Sequence, residues 1–264
     1  MAKQVKLNIP VTDLGVAVQD KEYMLALTLN AYIKLCYRSS VLKDASTRKV
    51  MQFAGIGYGR AKAALDKGLE RGLFSFVGND LYASKLSTEE WGYYCSISAT
   101  LNPDATIGKK RCGMSFTELS NKLRSAYLLN HISKLTECAD SINGYQNGLL
   151  KPSSKRAKAV RRMSDKVAHE QLSVRRAAEV VGVSKTTVRK YLKGLVASGE
   201  CSRDRVINLV SEELLSIKEA HSFCDRMNKL GVQGWLFAKR GKVYVWLPNI
   251  YRYKGTSIKV KYTK

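Results

Sequence analysis

No two of the six cysteines (Cys36, Cys95, Cys112, Cys138, Cys201 and Cys224) lie within a few residues of each other, and His131, His169 and His221 are equally scattered. Zinc needs clustered soft ligands, so this spacing offers no metal site. The cysteines read instead as reduced, partly buried thiols of a cytosolic protein. No apolar run approaches the ~18 residues of a membrane-spanning helix. The opening residues, MAKQVKLNIPVTDLG, lack the long apolar core of a signal peptide. GxxxxGK[ST], HExxH and GxSxG are all absent, so phosphate-cradling and nucleophile-elbow chemistry have no seat. No spaced set of Asp and Glu suggests a two-metal nuclease. Tyr191 has no neighbours that would make it a nucleophile. The expectation is a protein that is not an enzyme, with no catalytic residue, no metal and no cofactor.

Acidic residues are scarce as well. Asp and Glu number 22 against 45 Lys and Arg, a formal net charge of +23 in 264 residues. Like charges repel in a compact fold, so this excess points to a polyanionic partner, with nucleic acid ahead of an anionic membrane surface. The apolar stripes are committed to globular cores, which leaves no face for a membrane. Hydrophobic residues make up 45% of the chain, enough for two domains or three small ones.

The pattern along the chain predicts an α+β fold, mainly helical. Residues 1–20 read as an extended arm or short strand. EYMLALTLNAYIKLCYR, residues 22–38, reads as a helix with Leu25, Leu29, Tyr32, Ile33 and Cys36 on its apolar face. Helices are expected near 45–54 and 58–71, with Gly55 and Gly57 between them and Gly72 as a stop. LFSFV and LYASKL flank Gly78-Asn79-Asp80 and read as a β-hairpin. That order of helices, turn and hairpin is similar to a winged helix. A long amphipathic helix is expected over 115–142, started by a Ser115/Glu118 capping box. Residues 143–163 read as a linker, strongly basic at its end. Residues 211–230 read as helical, and residues 235–247 as a hairpin around Arg240-Gly241. The expected domains are 1–90, a helical connector with basic linker at 91–163, and 164–264 with a basic β extension.

The sharpest signal is SVRRAAEVVGVSKTTVRKYLKGLVASG, residues 173–199. Ala177 and Ala178 are small enough for one helix to approach the next. Gly182 permits a sharp turn. Val183 plugs the angle between the helices, and Ser184 caps the second one. Val188, Leu192 and Leu195 face inward, which leaves Lys185, Thr186, Thr187, Arg189, Lys190 and Lys193 outward. This segment resembles the helix-turn-helix of bacterial and phage DNA-binding proteins. The resemblance implies double-stranded DNA as partner, with the helix 184–198 in a major groove. Lys185, Thr186 and Arg189 are the candidates for base edges, and Lys190 and Lys193 for phosphate. It also implies a cytoplasmic location, on a bacterial nucleoid or in a phage-infected host. A surface helix with solvated lysines is the competing reading, which the alanines, glycine turn and serine cap together disfavour.

A shift of 127 positions lays the first unit on the second without a gap. Gly55 falls on Gly182, Ile56 on Val183, Ala61 on Val188, Leu65 on Leu192 and Gly72 on Gly199. Gly57 replaces the capping Ser184. The outward face becomes Tyr58, Gly59, Arg60, Lys62 and Lys67, diluted by Asp66 and Glu70. Tyr58, Arg60 and Lys62 are its candidate DNA contacts, and docking of a protein partner is the alternative.

Further basic groups extend the candidate interface. Arg203 and Arg205 are expected near the tip of a short wing, in a minor groove or on phosphate, or in an ordinary polar turn. Lys155, Arg156, Lys158, Arg161 and Arg162 either track phosphates or belong to a soluble linker. From Arg226 onward there are ten Lys or Arg and no acid, with Tyr244, Trp246, Tyr251 and Tyr253 interleaved. Such residues can stack on single-stranded bases. The strand alternation favours core instead, and Trp235 and Trp246 are expected to be packing residues.

The sequence therefore predicts a sequence-specific DNA-binding protein. A transcriptional regulator is the leading role. A plasmid- or phage-type replication initiator is the second, on the resemblance of the tandem architecture, and a non-specific coating protein is the third. The long helix either joins two protomers or bridges the two units. A homodimer would match a palindromic site, and a monomer a direct or asymmetric one. No small-molecule effector is legible.

Overall fold

The computed structural model describes residues 4–37, 39–86, 94–100, 113–146, 172–211, 216–229 and 235–254. The fold is α+β, with helices and small antiparallel sheets. The described residues divide into two compact units. The first holds residues up to Asn130 and Val180–Gly182, and the second holds the others from His131 onward.

The first unit opens with strand β1 (Gln4–Pro10) and helix α1 (Val11–Gln19). The extended reading of residues 1–20 is corrected for its second half. Val11, Leu14, Ala17 and Val18 recur at helical spacing and are buried. Helix α2 (Lys21–Cys36) follows at once, because the Asp20 carboxylate accepts the amides of Glu22 (2.9 Å) and Tyr23 (3.0 Å). A one-sided apolar stripe was expected for it. Instead α2 is buried on almost every side, from Tyr23 to Cys36, against α1 and further elements of the unit. Strand β2 (Val41–Leu42), helices α3 (Thr47–Ala54) and α4 (Tyr58–Glu70), and strands β3 (Phe74–Val77) and β4 (Asp80–Ala83) complete the expected order. Their sheet runs β2-β4-β3. Strand β5 (Tyr94–Thr100), in a segment for which no strand was expected, pairs antiparallel with β1 from Tyr94↔Pro10 to Thr100↔Gln4.

Asn30 ties α2 to the strands. Its side chain, fully buried, donates to the carbonyls of Leu73 (2.8 Å) and Ser84 (3.1 Å). Lys34 donates to the same Ser84 carbonyl at 2.6 Å, and burial pushes its ammonium down to about 8.

Helix α5 (Phe116–Gln146) contributes residues to both units and starts on the expected capping box. The Ser115 amide donates to Glu118 Oε2 (2.7 Å) and the Glu118 amide to Ser115 Oγ (3.2 Å). It runs past the expected end at 142.

The second unit contains helix α6 (Val174–Val181) up to Glu179, helix α7 (Lys185–Ala197), strand β6 (Cys201–Ser211), helix α8 (Ile217–Lys229) and strands β7 (Trp235–Lys239) and β8 (Lys242–Tyr253). The sheet order is β6-β8-β7. Shifted by 127, the bounds of α3 and α4 become those of α6 and α7, and Phe74 becomes Cys201. The local bonds repeat too. Ile56 N donates to Met51 O and Val183 N to Ala178 O, both at 3.2 Å. The Ser46 and Ser173 hydroxyls accept the amides of Lys49 and Arg176. One packing detail is inverted. In the first unit a small helix residue, Gly68, faces a large strand residue, Phe74, whose ring leaves no room for a Cβ on Gly68. The corresponding residues of the second unit are a large Leu195 and a small Cys201, both buried.

The strand pairs also correspond, and show where the copies part. Phe74↔Ala83 through Val77↔Asp80 match Cys201↔Tyr253 through Asp204↔Ile250. Asn79 O accepts from Ala45 N (2.7 Å) as Asn249 O accepts from Leu172 N (3.0 Å). Leu73 O accepts from Ser84 N (2.9 Å) as Glu200 O accepts from Lys254 N (3.0 Å). Two residues, Gly78 and Asn79, close the hairpin of the first unit. In the second, residues 205–249 occupy that place. The expected short turn carrying Arg203 and Arg205 at its tip is therefore corrected. Both arginines lie within an eleven-residue strand, Arg203 opposite Tyr251 and Arg205 at a register shift. VINLVS continues the strand alternation with no glycine to turn it.

Replacing Asn30 with alanine strips two hydrogen bonds from a buried site. Asn30→Ala should lower the unfolding free energy of the first unit by about 2 kcal/mol, measured by urea denaturation.

Candidate nucleic-acid interface

Helix α7 owes its start to Ser184, whose hydroxyl accepts the Thr187 amide at 3.2 Å and lies 2.9 Å from Thr187 Oγ1. Val188, Leu192 and Leu195 are buried, as their spacing requires. Lys185, Thr186, Arg189, Lys190 and Lys193 are exposed and recur on one side of the helix. No acid lies within the helix, and its four cations form no ion pair among the described residues. Thr187 departs from the expected set. It is half-buried, and its hydroxyl is turned to Ser184. Ser184 and Thr187 thus serve the helix start, while the other five form an open polar face. The positive end of the helix dipole adds to their potential.

Helix α6 brings two cations that the sequence reading passed over. Arg175 and Arg176 are exposed, and each bonds Glu179, at 3.2 and 3.3 Å. They lie in the first turn, directly behind the Ser173 cap, and that serine was the available signal. His131 of α5 is half-buried, and burial first, then the charges of Arg176 and Lys134, hold its imidazole below the usual range.

The corresponding face of α4 is weaker. Tyr58, Arg60 and Lys62 are exposed as expected. Lys67 is engaged by Glu70 at 3.1 Å and Asp20 at 3.6 Å. Gly57 has the backbone of a capping residue, φ −67° and ψ 156°, close to Ser184 at −64° and 152°, but no side chain to accept a bond.

Arg203 and Arg205 are exposed on β6. Lys155, Arg156, Lys158, Arg161 and Arg162 lie outside the described residues. Among the described residues, no three His, Cys, Asp or Glu side chains are grouped to hold a metal, and no helix is long and apolar enough to cross a membrane. Comparison of the chain with family models, curated proteins and solved structures finds no match.

The caps can be tested from both sides. Ser184→Ala should cost about 1 kcal/mol, read by urea denaturation. Gly57→Ser should raise stability by a few tenths of a kcal/mol, because the backbone is already extended and the new side chain meets open space. A second test concerns pH. The unfolded chain takes up a proton near the usual imidazole value of 6.5, while the folded chain still refuses it at His131. Stability should therefore fall as the pH drops below that value. His131→Gln should flatten the slope of midpoint temperature against pH between 7.5 and 5.5.

Proposed function

We propose that this protein binds double-stranded DNA sequence-specifically and acts as a transcriptional regulator. In this reading each unit carries a helix-turn-helix of winged-helix type, α3–α4 with β3–β4 and α6–α7 with β6 and β8. Helix α7 enters the major groove. The observation that carries the reading is the open face of α7: three lysines, an arginine and a threonine, undiluted by acid, behind a capped N-terminus. Lys185, Thr186 and Arg189 reach base edges. Lys190 and Lys193 meet phosphate, as do Arg175 and Arg176 at the start of α6, the helix that crosses the backbone in such motifs. Arg203 and Arg205 add charge beside the groove. The first unit, with Tyr58, Arg60 and Lys62, either extends the DNA contact or holds a protein partner. The protein acts by binding, without a catalytic step, in the cytoplasm.

One observation favours a second reading, a replication initiator that binds iterated origin repeats. The two units repeat the same helix bounds, the serine cap of the first helix and the strand register beside it, and a tandem reader suits a tandem site.

Selection of genomic fragments bound at physiological salt tests both. One enriched promoter-proximal site supports the regulator, and clustered repeats in an origin support the initiator. Absence of any enriched motif would sink both. Arg189→Ala should relax specificity at one position and cost about 1–3 kcal/mol on the selected site. Lys193→Ala should weaken all sequences alike and lower the salt slope by about 1.

A further inference from the structure

Residues 205–249, the segment that replaces the two-residue turn of the first unit, build a face of unusual composition. Side chains alternate across a sheet, so the register assigns each to a side. On one side Leu236, Ala238, Val243 and Val245 pack with Ala220, Phe223, Cys224 and Met227 of α8. On the other, Trp235, Trp246 and Ile207 form one row across the three strands, and Phe237, Tyr244 and Leu209 form the next. No helix covers these rows among the described residues. Trp235 is 62% exposed, Trp246 44%, Ile207 48% and Leu209 40%. The expectation that both tryptophans are packing residues is thereby corrected. The alternation that buries Leu236 and Val245 under α8 turns Trp235 and Trp246 away from it. Phe237 and Tyr244 stack on each other, centroids 5.5 Å apart and planes 19° from parallel.

Charge brackets the two rows. One step beyond the Phe237–Tyr244 row, the same alternation brings Lys239 opposite Lys242, next to Arg240 in the turn. One step beyond Ile207, it brings Arg205 and then Arg203. The register shift between Asp204 and Val206 adds its extra residue on β8, so the alternation of β6 is unbroken there. Asp204, the single carboxylate in the described strands of this sheet, alternates to the other side. An aromatic strip with cations at both ends and, among the described residues of the sheet, no carboxylate on its side is complementary to an unpaired polynucleotide. Bases stack on the rings and phosphates meet the cations. Successive rows lie about 7 Å apart, room for one base each.

We propose that the β6-β8-β7 face, with Trp235 and Trp246 at its centre, binds single-stranded DNA. This goes beyond duplex binding by α7, and the choice of DNA over RNA rests on that reading. The test uses the full chain and fluorescently labelled dT16, U16 and a 30-base-pair mixed duplex, followed by anisotropy at fixed salt. Trp235→Ala with Trp246→Ala should weaken dT16 binding by at least about tenfold and leave the duplex unaffected. Lys185→Ala with Arg189→Ala should do the reverse. Loss of duplex binding by the wild type, with dT16 binding intact, would end the α7 reading and spare this one. Both tryptophans are exposed, so the doubly substituted protein should keep its urea midpoint, and Trp246→Phe should keep most of the dT16 affinity. Unchanged dT16 affinity in the double variant overturns the proposal. So does U16 binding as tightly as dT16. So does a sedimenting dimer that the double variant dissociates with no change in dT16 affinity, which would make a second copy of the chain the occupant.

Discussion

Two turns with a left-handed residue set the geometry on which both units depend. Gly55 and Gly182 have φ of 64° and 63°, a conformation that costs a residue with a Cβ about 1–2 kcal/mol. Each lets the chain leave one helix and enter the next within three residues. The amide after the glycine then bonds back to the first helix, and the Ile56 side chain joins the core of its unit. The direction of the second helix follows from that turn, and its buried residues follow from its direction. The strand that begins a few residues after the helix is directed by both.

Upon this shared frame the copies differ where it is least constrained. Packing positions change in compensation, as Gly68 with Phe74 against Leu195 with Cys201 illustrate, because the space between helix and strand must stay filled. The cap and the hairpin tip are free of that constraint. At the cap, serine replaces glycine and anchors a helix whose open side is cationic. At the tip, a two-residue turn gives way to a strand, helix and strand excursion that forms its own small core under α8 and, among the described residues, leaves its other side uncovered. Both differences collect charge or aromatic surface in the second unit. The first unit retains the more deeply buried scaffold, with α2 at its centre and Asn30 as its polar tie.

Much of the second unit was legible because its signals are local. A glycine turn, a capping serine and a 3.6-residue stripe each act within a few residues, so α6, α7 and their outward face could be read directly. The capping box of α5 and the turn at Gly78-Asn79 are of the same kind. The elements that escaped are those whose partners are distant. Strand β5 lies in a segment of mixed composition, and its partner β1 is some ninety residues earlier. The all-round burial of α2 was hidden for a similar reason. Its stripe showed one apolar face, and the neighbours that cover the rest come from remote segments.

Sequence alone determined the repeated helix pair, its turn, its cap and the residues on its open side, because hydrogen bonds between near neighbours and helical periodicity specify all four. Only the tertiary structure decided where Arg203, Arg205, Trp235 and Trp246 lie and how exposed they are. Alternation along a strand states which residues share a side, but not which side a helix will cover. That choice belongs to α8. Its burial against Leu236 and Val243 settles that the tryptophans face outward, and pairing of β6 with a strand some forty residues away turns an expected hairpin tip into the edge of an aromatic face.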